Sequence, residues 1–297
     1  MAKLFARVEV LARPDPPLNT YKPGLPLYVR CVGKERLTKS DALDEIYHLT
    51  FDLEGQPYAF VEGQSMGVIA PGERSPGKPH QVRLYSIASP SGGEGGNPDH
   101  IALCVKRATH TEADGKTGQG VCSGYLCDLR PGDSVAVTGP SGKVFVLPSD
   151  VTTDMVLIAT GTGIAPFRAF LLRMLGDLQW RGRIDLFYGA KTTRELSYAN
   201  EESADILTFK DRIGLYLALS RVDPTRKIYV QDRLLEHGSG IRESIKQGRV
   251  SFYICGLKGM EAGIEEAMGQ IMSGSELPWP EWKSQLKKAG RWNLEVY

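Results

Sequence analysis

A short segment at residues 83–89, Arg-Leu-Tyr-Ser-Ile-Ala-Ser, carries a cation, a phenol and hydroxyl groups close together. Its alternation is typical of a half-buried β-strand in which the odd-numbered residues, from Arg83 to Ser89, share one face. That face would suit a flat anionic ligand such as a flavin dinucleotide. A guanidinium pairs with a pyrophosphate, and the Tyr85 ring could stack on a flat ring system. The alternative is a barrel strand with an ordinary solvated face, and the segment alone leaves both interpretations open.

Two glycine-containing turns are candidate pyrophosphate sites. The first, Thr-Gly-Thr-Gly-Ile-Ala-Pro-Phe at 160–167, joins a predicted strand to a predicted helix. Its glycines let the backbone approach a ligand, and the helix N-terminus offers unpaired N–H groups. The second, Gly-Val-Cys-Ser at 120–123, opens another predicted helix, where Ser123 could add its hydroxyl. Each could also be a plain turn or cap. One such site in each half of the chain suggests two dinucleotides that meet across a cleft.

Cations and hydroxyls also gather after a strand predicted to end at residue 219. Ser220 and Arg221 are followed by Lys227 and Tyr229. A nucleotide 2′-phosphate requires cations and hydroxyls, whereas an unphosphorylated ribose is usually held by a carboxylate. The group therefore favours a phosphorylated dinucleotide, with a solvated basic loop as the alternative.

Two features of the last fifty residues also bear on a site. Cys255 is predicted to end a parallel strand, where doubly wound sheets bind ligands, although the ordinary role of a cysteine is that of a small buried side chain. The C-terminal segment 291–297, Arg-Trp-Asn-Leu-Glu-Val-Tyr, has alternating aromatic and apolar side chains up to the last residue. Chain ends usually fray, so an end this apolar is expected to dock against the rest of the protein.

The elements that would position these residues change in type near residue 150. Residues 1–30 contain five prolines and are expected to be an extended lead-in. Short apolar runs separated by turn signals then predict an antiparallel β-barrel with one helix at 123–129. The predicted strands cover residues 28–33, 46–53, 65–70, 82–89, 101–107, 134–138 and 143–147.

After residue 150 strands alternate with helices, which is typical of a doubly wound α/β domain with a parallel sheet. The predicted strands cover residues 154–160, 184–188, 213–219 and 250–254. The predicted helices cover residues 165–178, 198–207, 230–247 and 258–273. The sequence therefore predicts two domains, at 1–150 and 151–297.

The composition argues against several classes of protein. The 297 residues are 41% hydrophobic and 24% charged, as in an ordinary globular protein. The net charge is only +1, so bulk nucleic-acid binding is not expected. No apolar run approaches the about 20 residues of a membrane span. Residues 1–7 lack the apolar core of a signal peptide and are too few for a transit peptide, which leaves import into an organelle open.

The five cysteines are odd in number and scattered, so we expect reduced thiols rather than a disulfide framework. Cys122 and Cys127 have the spacing that opens a plant-type iron–sulfur motif. The next cysteine of that motif would be residue 130, which is Arg130. No metal site is therefore expected.

Five motifs together resemble those of the plant-type ferredoxin–NADP⁺ reductases, in order and with the spacing of that family. They are Arg-Leu-Tyr-Ser at 83–86, Gly-Val-Cys-Ser at 120–123, Gly-Thr-Gly-Ile-Ala-Pro at 161–166, Tyr-Ile-Cys-Gly-Leu at 253–257 and Glu-Val-Tyr at 295–297. The resemblance covers nearly the whole chain. It implies an FAD-binding barrel, an NADP-binding α/β domain, hydride transfer between NADP(H) and the flavin, and single-electron exchange with ferredoxin or flavodoxin.

The resemblance also implies roles for individual residues. Tyr85 and the terminal Tyr297 would cover the two faces of the flavin. Ser86 would lie at its reactive edge and Cys255 beside the nicotinamide, while Glu295 near Ser86 would influence charge or proton transfer. The implied catalytic residues are Ser86, Cys255, Glu295 and Tyr297. The implied cofactor contacts are Arg83, Leu84, Tyr85, Ser86, Cys104, Val105, Lys106, His110, Gly120, Val121, Cys122, Ser123, Thr162, Gly163, Pro166, Ser220, Arg221, Lys227, Tyr229, Gln231, Gly256, Leu257, Glu261 and Tyr297.

The sequence departs from the family pattern in three places. His110 stands where a tyrosine usually contacts the FAD adenine, and Ala190-Lys191 replaces a Val-Pro beside the NADP ribose. Gln81 and Val82 replace a Lys-Leu pair on the rim that faces ferredoxin. A basic rim for an acidic ferredoxin or flavodoxin remains, formed by Lys22, Lys78, Arg83, Lys287, Lys288 and Arg291.

Two alternatives share part of this interpretation. One is the NADPH-dependent reductase component of an oxygenase, or a general diaphorase, with the same fold and another acceptor. The other is a protein of this fold that binds nucleotide or a partner without turnover. The leading expectation is a monomeric reductase in a bacterial cytoplasm or an organelle stroma.

Overall fold

The structure, a computed structural model, describes residues 15–111 and 115–297. The first 14 residues of the proline-rich lead-in, which include the segment 1–7, lie outside the described residues. Ten strands and one helix follow before residue 142. The strands are β1 Leu27–Arg36, β2 Ile46–Asp52, β3 Ser65–Ile69, β4 Glu73–Ser75, β5 Lys78–Pro79, β6 Arg83–Ser86, β7 His100–Lys106, β8 Thr109–Thr111, β9 Thr117–Gln119 and β10 Ser134–Ser141, and the helix is α1 Val121–Asp128. We call this part the antiparallel domain.

Six of these strands form one antiparallel sheet in the order β6-β3-β10-β1-β2-β7, and the pairs β4–β5 and β8–β9 are two-stranded ribbons. The alternation of β1 shows why the sheet forms, because Leu27, Val29 and Cys31 are buried while the residues between them face solvent. The edge strands meet where Ile87 bridges to Leu103. The sheet is therefore barrel-like without being fully closed, and the predicted antiparallel barrel is confirmed.

The second part, the parallel domain, contains a five-stranded sheet and five helices. Its strands are β11 Asp154–Thr160, β12 Ile184–Ala190, β13 Gly214–Leu219, β14 Val250–Gly256 and β15 Trp292–Val296. Its helices are α2 Ala165–Leu172, α3 Val230–Glu236, α4 Gly238–Lys246, α5 Met260–Ile271 and α6 Trp279–Lys288. The strand order is β13-β12-β11-β14-β15, with every pair parallel.

Both faces of the parallel sheet are covered. Leu157 of β11 belongs to the core on the α2 side, and its neighbour Ile158 belongs to the core beneath α3, α4, α5 and α6. Strand β14 is buried along its whole length, which explains its nearly continuous apolar sequence. The predicted doubly wound α/β domain is confirmed.

The strand predicted at 143–147 is wrong. These residues form a bend that passes from β10 towards the parallel domain. Phe145 packs there against Phe167, Phe170 and Tyr253, with ring centroids 5.1–6.0 Å apart. The alternating apolar side chains therefore fill the core between the two domains instead of one face of a sheet.

The helix predicted at 198–207 is also wrong. The chain is irregular there apart from a short 3-10 turn at Leu207–Phe209. Tyr198 has a φ of +62°, which no helix accommodates, and its hydroxyl lies 2.8 Å from Nδ1 of His48. The side-chain amide of Asn200 donates to the carbonyl of Leu37 at 2.8 Å. These contacts with the antiparallel domain override the local helical pattern.

Three smaller differences concern the parallel domain. The helix predicted at 230–247 is divided into α3 and α4 at His237, whose backbone leaves the helical region. The helix predicted at 165–178 continues beyond α2 as a π-helical turn at Arg173–Asp177. The sequence did not predict α6 or β15 as elements, but the expected docking of the C-terminus is confirmed, because β15 pairs with β14.

Candidate functional site

The carboxyl ends of the parallel strands border a cavity of about 440 Å³. Doubly wound sheets bind ligands at this edge. Each strand contributes a lining residue at or just after its end, namely Thr160, Ala190, Ser220, Leu257 and Tyr297. The antiparallel domain completes the wall with Asp44, Ile46 and Lys106. The cavity is thus shared between the two domains.

The turn between β11 and α2 packs directly against the end of β14. It forms a 3-10 helix at Gly161–Ile164, and Pro166 lies in the first turn of α2. A Cβ on Gly163 would lie 2.1 Å from the carbonyl oxygen of Cys255. The glycine at 163 is therefore required by the backbone of β14, and Gly161 and Thr162 are the residues of the turn that line the cavity.

The last residue of the chain is held in place at this turn. The Tyr297 hydroxyl lies 2.6 Å from the Thr162 hydroxyl. The Tyr297 N–H donates to the Gly256 carbonyl at 3.0 Å, and the Lys258 N–H donates to the Tyr297 carbonyl at 3.1 Å. The Tyr297 residue is nevertheless 61% exposed and lines the cavity. An aromatic ring is thus anchored at its hydroxyl and backbone while it remains accessible to a ligand.

Three of the four predicted catalytic side chains meet at the domain interface. Cys255 and Glu295 are direct neighbours on β14 and β15. The Ser86 hydroxyl, on β6 of the antiparallel domain, lies beside the Cys255 thiol. Burial raises the pKa of Cys255 well above its ordinary value, with a smaller contribution from Glu295, so the thiol is neutral. Burial also raises the pKa of Glu295 to about 7, so this carboxyl can gain and lose a proton near neutral pH.

Strand β6 is an edge strand with an open face. Arg83 and Leu84 are exposed, while Tyr85 and Ser86 are half-buried. Burial raises the pKa of Tyr85, and its side chain packs against the core of the antiparallel domain beside Cys122. The predicted continuation of the polar face to Ser89 is wrong, because Ser89 is buried and its hydroxyl accepts a hydrogen bond from a backbone N–H at 3.0 Å.

The start of α1 offers backbone donors rather than a side-chain cap. The Ser123 hydroxyl accepts from the Ala108 N–H at 3.1 Å and donates to the Gly120 carbonyl at 3.2 Å. Ser123 is therefore largely occupied in holding the turn together. Val121, the first residue of α1, is 57% exposed, whereas Cys122, Ser123 and Gly124 of the same turn are buried. An anion here would bind mainly to backbone N–H groups.

Four further predicted contacts lie on β7 and β8. Cys104 and Val105 are buried, and burial raises the pKa of Cys104 to about 12. Their side chains therefore belong to the core, and only their backbones could meet a ligand. The Lys106 ammonium pairs with Asp44, and His110 is exposed on the β8 ribbon.

The predicted 2′-phosphate contacts lie together after β13 and at the start of α3. Arg221 and Lys227 are exposed. Ser220, Tyr229 and Gln231 line the cavity, and Tyr229 is 44% exposed. Three of the five predicted contacts therefore reach the cavity, and a role of Arg221 and Lys227 in binding a 2′-phosphate stays a prediction. Two other predicted contacts follow β14, with Leu257 lining the cavity and Glu261 in the first turn of α5.

The predicted basic rim is divided between the two domains. Five of its members are exposed, namely Lys22, Lys78 and Arg83 in the antiparallel domain and Lys287 and Lys288 in the last turn of α6. The sixth, Arg291, donates from its guanidinium to the Gly248 carbonyl.

Sequence reasoning missed the polar contacts between the domains. Arg168 of α2 makes a paired salt bridge with Glu94 and donates to the carbonyl of Ala88 at 2.9 Å. Asp44 pairs with Lys191, a residue that the sequence analysis identified only as a departure from the family pattern. No local signal identifies such pairs, because their members are 74 to 147 residues apart.

Neither a metal centre nor a membrane span is found in the described part of the chain. Within 15–111 and 115–297, no group of three or more His, Cys, Asp or Glu side chains is arranged to hold a metal ion. In the same ranges, no helix has both the length and the apolar character needed to cross a membrane.

Comparison with known proteins gives a consistent result. Residues 157–266 match the family model of the oxidoreductase NAD-binding domain. The chain is 42% identical over 288 residues to the chloroplastic ferredoxin–NADP reductase of Spinacia oleracea, covering 94% of this chain and 78% of that protein. It is 40% identical over 294 residues to the ferredoxin–NADP reductase of a Spirulina species, covering 96% of this chain and all of that protein. The structure of ferredoxin–NADP⁺ reductase from Plasmodium falciparum with 2′P-AMP superimposes with a TM-score of 0.73 at 26% identity, covering 94% of this chain and 99% of that one.

Proposed function

Because the chain belongs to the ferredoxin–NADP reductase family, we propose that it exchanges a hydride with NADP(H) through FAD and single electrons with ferredoxin. The observation that carries the proposal is the meeting of Ser86 from one domain with Cys255 and Glu295 from the other. Two domains that each bind a dinucleotide would bring the reacting rings together at such a junction. The NADP-binding cavity with Tyr297 in its wall lies at the same edge of the parallel sheet.

The open face of the antiparallel domain fits FAD. The Arg83 guanidinium is exposed, the N-cap of α1 has no side-chain hydrogen bond, and Tyr85 lies beside Cys122 of the first turn. A cation, helix N–H groups and a flat ring are the groups that a pyrophosphate and a flavin require. FAD, when bound, would supply the ability to take up two electrons as hydride and release them one at a time.

The residues of the chain would then divide the work. Arg83 and the first turn of α1 hold the pyrophosphate of FAD, and Tyr85 supports one face of the flavin. Tyr297 would cover the other face, and its ring would have to move aside for the nicotinamide to bind. Glu295, whose pKa lies near 7, holds or releases a proton close to the Ser86 hydroxyl.

The NADP(H) contacts would follow the cavity from one end to the other. The pyrophosphate would lie at the turn that contains Thr162, Gly163 and Pro166, of which Thr162 lines the cavity. Gly256, Leu257 and Glu261 would lie on the nicotinamide side. The 2′-phosphate and adenine meet the group formed by Ser220, Arg221, Lys227, Tyr229 and Gln231. The solved relative with 2′P-AMP supports this assignment, since that ligand is a fragment of NADP.

The proposed docking of the electron-accepting protein depends on opposite charges. An acidic ferredoxin, or a flavodoxin in its place, would dock on the basic rim formed by Lys22, Lys78, Arg83, Lys287 and Lys288.

The domain division at residue 150 is part of the same proposal, because the last antiparallel strand ends at Ser141 and the first parallel strand begins at Asp154. The proposal also includes that the protein is a monomer and that it works in a bacterial cytoplasm or an organelle stroma.

The proposal is tested with the purified protein. A yellow protein that reduces ferricyanide far faster with NADPH than with NADH would support it. A colourless protein that takes up no FAD on reconstitution would overturn it.

Cytochrome c reduction through added ferredoxin then separates this function from a general diaphorase or an oxygenase component. Docking through charge should weaken as salt rises, and the double variant Lys287→Gln/Lys288→Gln should raise the KM for ferredoxin. The matched control is Lys246→Gln, which is also exposed in the last turn of a helix. A salt-independent rate, equal with and without ferredoxin, would favour the diaphorase.

A further inference from the structure

One carboxylate oxygen of Asp44 forms ion pairs with two lysines. Its Oδ1 lies 2.7 Å from Nζ of Lys106 and 2.8 Å from Nζ of Lys191. Asp44 and Lys106 belong to the antiparallel domain, whereas Lys191 follows β12 of the parallel domain. All three line the cavity at the carboxyl ends of the parallel strands. The cavity therefore has a charged cluster in its wall that spans the two domains.

The cluster carries a net positive charge. Although burial opposes it, hydrogen bonds from Lys106 and Lys191 hold the pKa of Asp44 below its ordinary value, so the carboxyl is ionised at neutral pH. Two ammonium groups and one carboxylate leave one positive charge. The side chains of Asp44 and Lys191 are only 14% and 28% exposed, so their interaction is less screened than that of a surface pair.

The domain interface does not depend on this pair. On the same side of the molecule the Leu43 N–H donates to Glu195 Oε1 at 2.8 Å, and Lys39 pairs with Glu201 at 2.5 Å. Arg194 also pairs with Asp41. Lys191 can therefore change its partner while its neighbours keep the two loops together.

We propose that Lys191 binds the dinucleotide. Its ammonium group pairs with Asp44 when no dinucleotide is bound, and the phosphates of the dinucleotide compete with Asp44 for this ammonium group. The inference rests on the proposed function, in which the cavity takes NADP(H). Lysine suits an exchange of this kind, because its ammonium is a compact charge on a flexible four-carbon chain. Asp44 keeps Lys106 after the exchange, so no charged group is left without a partner.

The test is calorimetric titration of the FAD-containing protein with NADP⁺. Lys191→Gln should weaken NADP⁺ binding about tenfold, because a charge-assisted contact with phosphate is lost. Asp44→Asn should tighten binding about threefold to tenfold, because the competing carboxylate is removed while both ammonium groups remain. The salt dependence of the dissociation constant should become shallower in Lys191→Gln and steeper in Asp44→Asn.

Two variants of the neighbouring ion pair serve as matched controls. Asp41→Asn and Arg194→Gln break a pair between the same two loops, but neither residue lines the cavity. Both should leave NADP⁺ binding within about twofold of the parent protein. The flavin absorbance and the melting temperature of each variant establish that it has folded.

Weaker binding, or no change, in Asp44→Asn would overturn the inference, and so would equal shifts in the controls. No change in Lys191→Gln would overturn it as well. These outcomes leave the proposed function intact, because they require a parent protein that binds NADP⁺. A parent protein with bound FAD that fails to bind NADP⁺ would instead overturn the proposed function, and the inference with it.

Discussion

The hydroxyl of Tyr297 lies 2.6 Å from the hydroxyl of Thr162, so the last residue of the chain is attached to the turn that opens α2. If the nicotinamide must displace Tyr297, this hydrogen bond opposes NADP(H) binding. Tyr297→Phe keeps the ring and removes the bond, so we expect NADP⁺ to bind about threefold to fivefold more tightly. Tyr297→Ser also removes the ring, and should bind NADP⁺ more tightly still, accept NADH more readily and turn over more slowly.

The measurements for both Tyr297 variants are the dissociation constant of NADP⁺ and steady-state kinetics with NADPH and NADH. The two variants together separate the effect of the hydroxyl from that of the ring. Kinetics and binding that match the parent protein in Tyr297→Ser would show that Tyr297 does not cover the site of the nicotinamide.

Glu295 makes stability depend on pH. Its pKa in the folded protein is about 7, whereas an unfolded glutamate titrates near 4.5. The folded state therefore favours the protonated carboxyl, and its stability falls as pH rises from about 4.5 to 7. Glu295→Gln removes this loss. We expect the variant to gain about 1–2 kcal/mol in free energy of unfolding over the parent between pH 5 and pH 8, less than the full shift would give because the side chain is partly exposed.

Urea unfolding at pH 5 and pH 8 provides this measurement. The control is Glu276→Gln, a change of the same chemistry at an exposed position. Its difference from the parent should be the same at both pH values. A difference for Glu295→Gln that does not grow towards pH 8 would show that Glu295 is solvated and titrates as an ordinary carboxyl.

Arg168 ties the two domains together. Its guanidinium forms a paired salt bridge with Glu94, bonds to Asp205 at 2.6 Å and lies 4.9 Å from the centre of the Tyr198 ring. Arg168→Met leaves Glu94 without its cation in a site that is mostly buried. We expect a loss of about 3 kcal/mol or more in free energy of unfolding. Because Arg168 also donates to the carbonyl of Ala88, two residues after β6, we expect FAD to dissociate faster.

The control for Arg168 is Arg194→Met, which removes an exposed ion pair between the same two domains. The side chains of Arg194 and its partner Asp41 are 53% and 60% exposed, so this loss should cost less than about 1 kcal/mol. Urea unfolding and the release of FAD fluorescence measure the two effects. Equal losses for the two variants would mean that the buried cluster contributes nothing beyond a surface ion pair.

Much of the fold could be predicted, and the failures have physical reasons. The first four parallel strands and the strand–helix turn at 161–166 depend on local patterns and were predicted correctly, whereas β15 was not predicted. The wrong strand at 143–147 and the wrong helix at 198–207 both lie where the domains touch. Phe145 and Tyr198 are placed by contacts with residues of the other domain, and such contacts leave no pattern in the neighbouring sequence. For the same reason the sequence did not predict the ion pairs of Asp44 and Arg168. Ser86, Cys255 and Glu295 were expected to lie close together only because of the resemblance to a known family.

Two glycines in the parallel domain should respond to alanine with opposite signs. A methyl group on Gly163 would lie 2.1 Å from the Cys255 carbonyl oxygen, so Gly163→Ala must push the α2 turn away from β14. We expect weaker NADP⁺ binding and a loss of roughly 1–3 kcal/mol in free energy of unfolding. Gly269, inside α5, has no neighbouring atom within 4 Å of the position that a methyl group would occupy, so Gly269→Ala should stabilise the protein by about 0.5–1 kcal/mol. Stabilisation by both changes would mean that the turn at 163 is loose.

His110 is the predicted contact of the FAD adenine. It lies exposed on the β8 ribbon, opposite Gly118 of β9, and stands where the family usually has a tyrosine. A tyrosine ring offers more stacking area than an imidazole, and aromatic stacking contributes about 0.5–1.5 kcal/mol. His110→Tyr should therefore slow FAD dissociation about threefold to tenfold, measured by the rise in flavin fluorescence after dilution. His80→Tyr, the same change elsewhere in the antiparallel domain, should leave the rate unchanged. If His110→Tyr also leaves it unchanged, the adenine does not lie on this ribbon, and Arg83 with the first turn of α1 must hold FAD without it.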